Sequence, residues 1–169
     1  MKKKVIILLK CLFMFGSCLQ LVSQNIDIGS AAVDIKGYDV KSKKYIKLSQ
    51  YKNKKNVLLN FTATYCSPCW KTYPHMDKLQ QKYPSDLKVI SIHGDETKDL
   101  WYKIAKRLKV NFKSATIWKV EDKEKIKKIY KIKQYPTFFI INKEGIIIDK
   151  WVGNRKKYMD YSVKYLIEP

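Results

Sequence analysis

Short apolar runs alternate with segments of helical spacing along the chain, and this order predicts an α/β fold. Two runs, Val57–Ala63 and Leu87–Ile92, are nearly continuous in apolar residues, which is typical of strands buried on both faces of a sheet. A further strand is predicted over Thr116–Val120. Near the C-terminus, Thr137–Ile141 and Ile146–Trp151 flank a turn-forming segment, so we expect them to form a hairpin.

Apolar residues three or four positions apart predict the helices between these strands. The predicted helices are residues 66–82 with a kink at Pro74, a helix that begins at Asp95 or Thr97 and ends at Leu108, Lys123–Tyr130, and Asn154 to Ile167. The last helix is expected to turn Tyr158, Tyr161 and Tyr165 towards the core. Two short strands, Ala32–Lys36 and Tyr45–Leu48, are predicted before the first buried run. Together these elements favour a mixed sheet with helices on both faces.

The first 23 residues have the pattern of an export segment rather than of folded structure. Lysines at positions 2–4 precede the apolar stretch Val5–Val22, which contains no acidic residue. Cleavage after Ser23, lipidation at Cys18 and retention as an uncleaved anchor remain open, because the stretch barely reaches membrane-spanning length. We therefore expect a signal peptide or N-terminal anchor over 1–23 and a single domain over 24–169.

The chain has 169 residues, a formal net charge of +20 and 46% hydrophobic residues, enough to bury a core. All but two of the basic residues, Arg107 and Arg155, are lysines. This composition argues against an arginine-rich reader of phosphates or bases, and no nucleic-acid motif is present. The lysines are spread over predicted loops and outer helix faces, so we expect no nucleic-acid partner.

Cys66 and Cys69 are the only cysteines that remain once the export segment is set aside. A single close pair is no disulfide framework, so the two sulfurs are candidates for chemistry. The pair follows a buried strand and begins a helix, where backbone N–H groups and the helix dipole stabilise a thiolate. Cys66 would attack a substrate disulfide, and Cys69 would then resolve the mixed disulfide. This cycle needs no cofactor beyond the Cys66–Cys69 disulfide.

The stretch VLLNFTATYCSPCWKTYP resembles the active-site strand, turn and helix of thioredoxin-like proteins of the TlpA/ResA type. Residues 135–140, YPTFFI, match the cis-proline loop of that family and the strand after it, and the likeness covers about residues 26–167. It implies an α/β, thioredoxin-like three-layer sandwich: a mixed central sheet with flanking helices and an N-terminal β-hairpin extension. It further implies that Pro136 is cis beside Cys66, and that Tyr135 pairs with an extended substrate segment.

Two departures from this family concern proton transfer. Thioredoxins carry a buried acid at the position of Asn60, and TlpA/ResA types often carry Glu at the position of Thr72. Neither residue can take a proton at physiological pH, so a slower resolving step by Cys69 is a hypothesis. Around the sulfurs, three aromatic residues are candidates for a substrate-docking face, although core burial is an equal alternative for the second: Tyr65, Trp70 and Tyr135.

His93 ends the second buried strand, at the sheet edge where the cysteines are expected. A hydrogen bond to a neighbouring group is one interpretation. The alternative is a soft-metal site for copper(I) or zinc formed by His93 with Cys66 and Cys69. The chain lacks the three-residue spacing between cysteines that copper-delivering members of the fold have.

The sequence thus predicts an exported thiol–disulfide oxidoreductase that reduces protein disulfides, because Ser67-Pro68 resembles the dipeptides of reducing members. The expected partners are a disulfide-containing substrate protein and an upstream thiol reductant, soluble or membrane-bound. The expected location is the periplasm or cell envelope of a bacterium, with the protein soluble or attached through its N-terminus. A copper- or zinc-binding or metal-delivery module is the alternative.

Overall fold

The structure is a computed structural model that describes residues 26–39, 42–94, 103–104, 106–107 and 116–168. The predicted export segment lies outside the described residues. Most of the helix expected to end at Leu108 also lies outside them, although residues 103, 104, 106 and 107 are helical. None of the described helices is long and apolar enough to cross a membrane.

A seven-stranded mixed sheet runs through the described part of the chain. Its strands are β1 Lys36–Asp39, β2 Lys44–Lys47, β3 Asn56–Thr62, β4 Leu87–His93, β5 Thr116–Val120, β6 Thr137–Ile141 and β7 Ile147–Val152. Their order across the sheet is β2-β1-β5-β4-β3-β6-β7. The three central strands β5, β4 and β3 are parallel, while the β1–β2 and β6–β7 hairpins add antiparallel strands on either side. The predicted mixed sheet with an N-terminal hairpin is confirmed.

Helices cover both faces of this sheet. They are α1 Ser67–Trp70, α2 Tyr73–Lys82, α3 Lys123–Ile129 and α4 Lys156–Ile167, with a 3-10 turn over Leu48–Tyr51. The predicted start of α3 is confirmed, since the Asp122 carboxylate accepts a hydrogen bond of 2.9 Å from the Lys125 N–H. Helices α2 and α4 pack on one face, and α3 with the segment before β1 packs on the other.

Strand β3 supplies both cores because its side chains alternate between the two faces. Leu58 joins the core under α2 and α4, whereas Leu59 and Phe61 join the core under α3. By the same alternation, Asn60 and Thr62 lie on the α2 side of the sheet. The two polar residues closest to the end of β3 are therefore directed to the face that carries the CxxC helix.

The N-terminal hairpin forms with different strand bounds from those predicted. Residues 32–35 do not form a strand, whereas the polar residues from Gly37 to Asp39 do. Gly37 pairs with both Ile46 of β2 and Val120 of β5. The hydrophobic pattern missed this strand because β1 is held by pairing with β5, about eighty residues away along the chain, and not by its own apolar residues.

The predicted single helix over 66–82 is wrong: it consists of α1 and α2, separated at Lys71 and Thr72. Pro74 has no N–H to donate to the carbonyl of Trp70, four residues earlier, so the helical ladder is interrupted there. Pro74 lies in the first turn of α2, where a missing donor is tolerated. The expected kink is thus a boundary between two helices.

The inward face predicted for α4 is also wrong. Tyr158, Tyr161 and Tyr165 are exposed, and the core contains Met159 and Val163 instead. Two stripes of helical spacing run along this helix, and the aliphatic one is buried because it carries no hydroxyl that needs a partner. Helix α4 also begins at Lys156, after an Arg155 N-cap with no side-chain hydrogen bond, and not at Asn154.

Tyr130 is a buried titratable residue in the core under α3, so it links the free energy of unfolding to pH. Its ring is fully buried, and its hydroxyl donates a 2.6 Å hydrogen bond to the carbonyl of Val33. Burial, and secondarily the Asp34 carboxylate, raises the pKa of Tyr130 well above the ordinary value of 10.0. The folded state therefore keeps this proton at a pH where the unfolded chain releases it.

We expect the free energy of unfolding to fall as the pH rises above about 10, and Tyr130→Phe to remove part of that fall. At pH 8 the variant should be less stable by about 1 kcal/mol, because the Val33 carbonyl loses its donor. Chemical denaturation at pH 7 to 11 measures both effects. Tyr161→Phe, at an exposed position, is the control and should match the wild type throughout. A difference in unfolding free energy between Tyr130→Phe and wild type that stays the same from pH 7 to 11 would contradict the prediction.

Candidate active site

The two cysteines lie just after the C-terminal end of β3, where α1 begins. Cys66 is the N-cap of α1, and the Cys66 and Cys69 sulfurs form a disulfide. The Cys66 N–H donates to the Ala63 carbonyl at 3.1 Å, which ties the turn to the strand. The Cys69 N–H donates to the Cys66 sulfur at 3.2 Å. When Cys66 is reduced, this donor favours its thiolate over its thiol.

The two sulfurs differ in their access to solvent. Cys66 is 7% exposed and Cys69 is 0% exposed, while Ser67 and Pro68 between them are exposed. Of these two largely buried residues, only Cys66 keeps exposed area. This difference favours different tasks for the two cysteines.

The Tyr135–Pro136 loop lies against this pair. The peptide bond between Tyr135 and Pro136 is cis, Pro136 is buried, and Tyr135 packs on the small cluster of Ala63, Cys66 and Cys69. A Cβ added to Gly94, after the end of β4, would overlap the Tyr135 hydroxyl. Glycine at this position therefore leaves room for the phenol. The ends of β3 and β4 and the loop before β6 thus converge on the disulfide.

The three aromatic residues predicted for docking do not share one surface. Tyr65 is 77% exposed and makes an edge contact with the partly buried Tyr135, with ring centroids 6.3 Å apart. Trp70 is 7% exposed, packs in the core, and donates from its indole N–H to the Thr64 carbonyl at 2.8 Å. Trp70 therefore holds the turn before Cys66 in place. Its position agrees with the alternative of core burial and not with a docking face.

A lysine of α3 lies near the exposed aromatic pair. The pKa of Lys127 is raised, first by a hydrogen bond to Glu124 and also by the Tyr135 and Tyr65 phenols. Its ammonium lies 2.8 Å from the Glu124 carboxylate. The surface beside the disulfide therefore combines two phenol rings with a paired positive charge.

Comparison with known proteins agrees with this geometry. The sequence matches the AhpC/TSA family over residues 28–150. The chain belongs to the AhpC/TSA family. Among curated relatives, the thiol-disulfide oxidoreductase ResA of Bacillus cereus is 32% identical over 135 residues, covering 79% of this chain and 75% of the relative. ResA of Bacillus subtilis (strain 168) is 29% identical over 147 residues, covering 86% and 79%.

Solved structures place this AhpC/TSA-family chain among thioredoxin-like folds. A putative thiol:disulfide interchange protein DsbE from Chlorobium tepidum aligns with a TM-score of 0.73 at 25% identity, covering 83% of this chain and 97% of that one. The exposed lipoprotein thioredoxin Etrx1 of Streptococcus pneumoniae strain TIGR4 aligns with a TM-score of 0.65 at 25% identity, covering 79% and 100%. The chain is a thiol–disulfide oxidoreductase with Cys66 and Cys69 as its CxxC pair.

The residues in place of the usual proton acceptors are both fully buried. Asn60 donates from its amide nitrogen to the Ser91 hydroxyl at 3.3 Å, and Thr72 donates from its hydroxyl to the Cys69 carbonyl at 2.7 Å. The Thr72 hydroxyl therefore bonds the backbone of Cys69 and not its sulfur. Neither side chain takes a proton at neutral pH.

His93 is buried and hydrogen-bonded to another side chain. Its Nε2 atom lies 2.9 Å from the hydroxyl of Tyr73, a fully buried residue of α2. The hydrogen-bonded interpretation of His93 thus holds, with a partner twenty residues away in sequence. Over the described ranges, no three His, Cys, Asp or Glu side chains are grouped so as to hold a metal ion. The contact between Tyr73 and His93 could not be predicted from the sequence, because it joins a helix to a strand.

Asn60→Asp tests how apolar the space under the cysteines is. A carboxyl at this fully buried position would have its pKa raised above the ordinary value near 4 by desolvation. The folded state would then bind the proton more tightly than the unfolded state. The variant should have nearly wild-type stability at pH 4 and lose on the order of 2–4 kcal/mol by pH 8.

Urea denaturation of the oxidised proteins at several pH values measures this loss. Asn53→Asp, in an exposed turn, is the matched control and should show no pH-dependent loss. A pH-independent offset for Asn60→Asp would contradict the expected burial of the carboxylate.

Proposed function

We propose that this oxidoreductase is exported and reduces disulfides of protein substrates in the periplasm or cell envelope of a bacterium. The observation that carries the proposal is the unequal access of the two cysteines, since Cys66 keeps 7% of its area exposed and Cys69 is fully buried. The basic and apolar character of residues 1–23 supports export, as a soluble or an N-terminally anchored protein. The ResA relatives and the Ser67-Pro68 dipeptide support the reducing direction.

The proposed cycle transfers two electrons to the substrate. The Cys66 thiolate attacks one sulfur of the substrate disulfide, and the other substrate sulfur leaves as a thiolate that takes up a proton. Cys69 then loses its proton and attacks Cys66, so that the second substrate sulfur leaves and the Cys66–Cys69 disulfide forms. The structure has this oxidised form. An upstream thiol reductant, soluble or membrane-bound, must return two electrons before the next cycle.

The substrate is proposed to lie across the exposed face formed by Tyr65 and Tyr135. Tyr65 has the larger exposed area, and Tyr135 contacts both the Tyr65 ring and the cluster that contains Cys66. An extended substrate segment beside the cis Tyr135–Pro136 bond would place its disulfide next to Cys66. Aromatic rings at such a face bury apolar area at a small cost in side-chain entropy.

The redox potential of the Cys66–Cys69 pair tests the proposed direction. A reductase should have a potential near that of thioredoxin, roughly −270 mV, whereas an oxidase would lie nearer about −120 mV. Equilibration of the purified protein in glutathione and dithiothreitol buffers, followed by alkylation and mass spectrometry, measures the oxidised fraction. Cys69→Ser should lose the two-electron transition. A potential at the oxidising end would refute the reductase assignment.

Tyr65→Ala tests the docking face. We expect kcat/KM for insulin reduction to fall about five- to tenfold, since a buried aromatic anchor contributes more than about 1 kcal/mol to recognition. The reaction with the small disulfide DTNB should be unchanged, because it does not cover this face. Tyr161→Ala removes a tyrosine of similar exposure, 66%, from α4 and is the control. Equal losses with insulin and DTNB would show that Tyr65 acts on the cysteines and not on the substrate.

A further inference from the structure

A row of buried polar side chains lies on the α2 face of the sheet. Asn60 and Thr62 of β3 pair in register with Ser91 and His93 of β4, and all four are buried. Paired residues of neighbouring parallel strands direct their side chains to the same face. Burial of polar groups is costly unless they bond to one another or serve a function. The row ends next to the cysteines, and His93 is its titratable member.

Tyr73 joins this row to the segment that carries Cys69. It lies four residues after Cys69, and both residues are fully buried. The boundary between α1 and α2 is short, since the Thr72 N–H donates to the Cys69 carbonyl and the Met76 N–H donates to the Thr72 carbonyl. Tyr73 therefore begins α2 directly after a residue that is hydrogen-bonded to Cys69. The Tyr73 hydroxyl reaches His93 Nε2 at 2.9 Å.

The backbone around the disulfide confirms that the end of β4 is close to it. The Gly94 N–H donates to the Thr62 carbonyl at 2.7 Å, and Ala63, the next residue, clusters with both cysteines. Tyr135 packs on that cluster and places its hydroxyl against Gly94. His93 is therefore the residue just before Gly94, whose N–H bonds the backbone next to the active site.

The neutral members of the row leave hydrogen-bonding capacity unused. Among the described residues, the Asn60 side-chain oxygen and the Thr62 hydroxyl are buried without a hydrogen-bond partner. Both atoms can orient a proton donor or a water in this space, but neither can hold a proton at neutral pH. An imidazole is the side chain that titrates in this range.

We propose that His93, acting through the Tyr73 hydroxyl, receives the proton that Cys69 must lose in the resolving step. This inference rests on the proposed dithiol cycle and supplies the acceptor missing at positions 60 and 72. The Tyr73 oxygen takes the Cys69 proton while its own proton moves to His93 Nε2. The Cys69 thiolate forms the S–S bond with Cys66, the bond from Cys66 to the substrate sulfur breaks, and the substrate thiolate leaves. The imidazolium then returns its proton to the leaving thiolate or to solvent.

The groups that face His93 come from three neighbouring elements. Helix α2 contributes the Tyr73 phenol, whose ring is nearly parallel to the imidazole, with the two centroids 6.4 Å apart. The loop before β6 contributes the Tyr135 phenol beside Gly94, and Tyr135 in turn packs on the cluster that contains Cys66 and Cys69. Strand β3 contributes the neutral Thr62. Among the described contacts, the titratable groups next to His93 are thus the phenols of Tyr73 and Tyr135.

Stopped-flow reaction of the reduced protein with DTNB separates the two steps. The first thionitrobenzoate released reports attack by Cys66, and the second reports resolution by Cys69. In the wild type, we expect the second phase to rise with pH and then level off once the acceptor of the Cys69 proton is in its basic form. In His93→Gln and in Tyr73→Phe, this plateau should disappear, and the second phase at pH 7 should slow about tenfold or more. The first phase should keep its wild-type rate.

His75→Gln is the matched control, since His75 lies on the same helix as Tyr73 but contacts Asp160 of α4 at 2.8 Å. It should leave both phases unchanged. A wild-type pH profile of the second phase in both His93→Gln and Tyr73→Phe would overturn the inference, as would a parallel slowing of both phases. Tyr73→Phe retains the ring, so it decides the matter if His93→Gln does not fold. Absence of a second phase in the wild type would instead refute the dithiol cycle itself.

Discussion

The pairing of β3 with its two neighbours is the constraint on which the rest of the molecule depends. Strand β3 is parallel to β4 and antiparallel to β6, and every one of its residues is buried. Its parallel pairing brings the C-terminal end of β4 to the same edge, where the CxxC turn begins. Its antiparallel pairing brings the start of β6, and with it the Tyr135–Pro136 loop, to that edge as well. Three segments distant in sequence thus meet at one disulfide.

Burial of β3 also produces the chemical difference between the cysteines. Because the strand ends inside the sheet, Cys66 in the following turn keeps some access to solvent while the helix after it packs back onto the core. Cys66 lies at the N-cap, and Cys69 lies one turn further in, against Ala63. Trp70 fixes this arrangement through its bond to the Thr64 carbonyl. The unequal access of the two cysteines therefore follows from packing, not from any difference between their side chains.

Sequence reasoning predicted those parts of the fold that local pattern determines. The buried runs that became β3 and β4, the Asp122 cap and the CxxC turn each carry their signal within a few residues. It failed where two choices were locally equivalent, as on α4, whose tyrosine and aliphatic stripes have the same spacing. It also failed at β1, which depends on pairing with β5. The contact between Tyr73 and His93 was inaccessible for the same reason, since a side-chain hydrogen bond between a helix and a strand leaves no periodic trace.

In the proposed resolving step, the buried row beneath the cysteines takes the place of an acid at this site. A carboxylate next to Cys69 would accept its proton well, but two negative charges in an apolar space repel each other strongly. In the proposed route, a tyrosine and a histidine add no second negative charge, and a positive charge arises on the imidazole only as the thiol gives up its proton. The polar residues Asn60, Thr62 and Ser91 fit this arrangement, since they solvate a transient charge without carrying a permanent one.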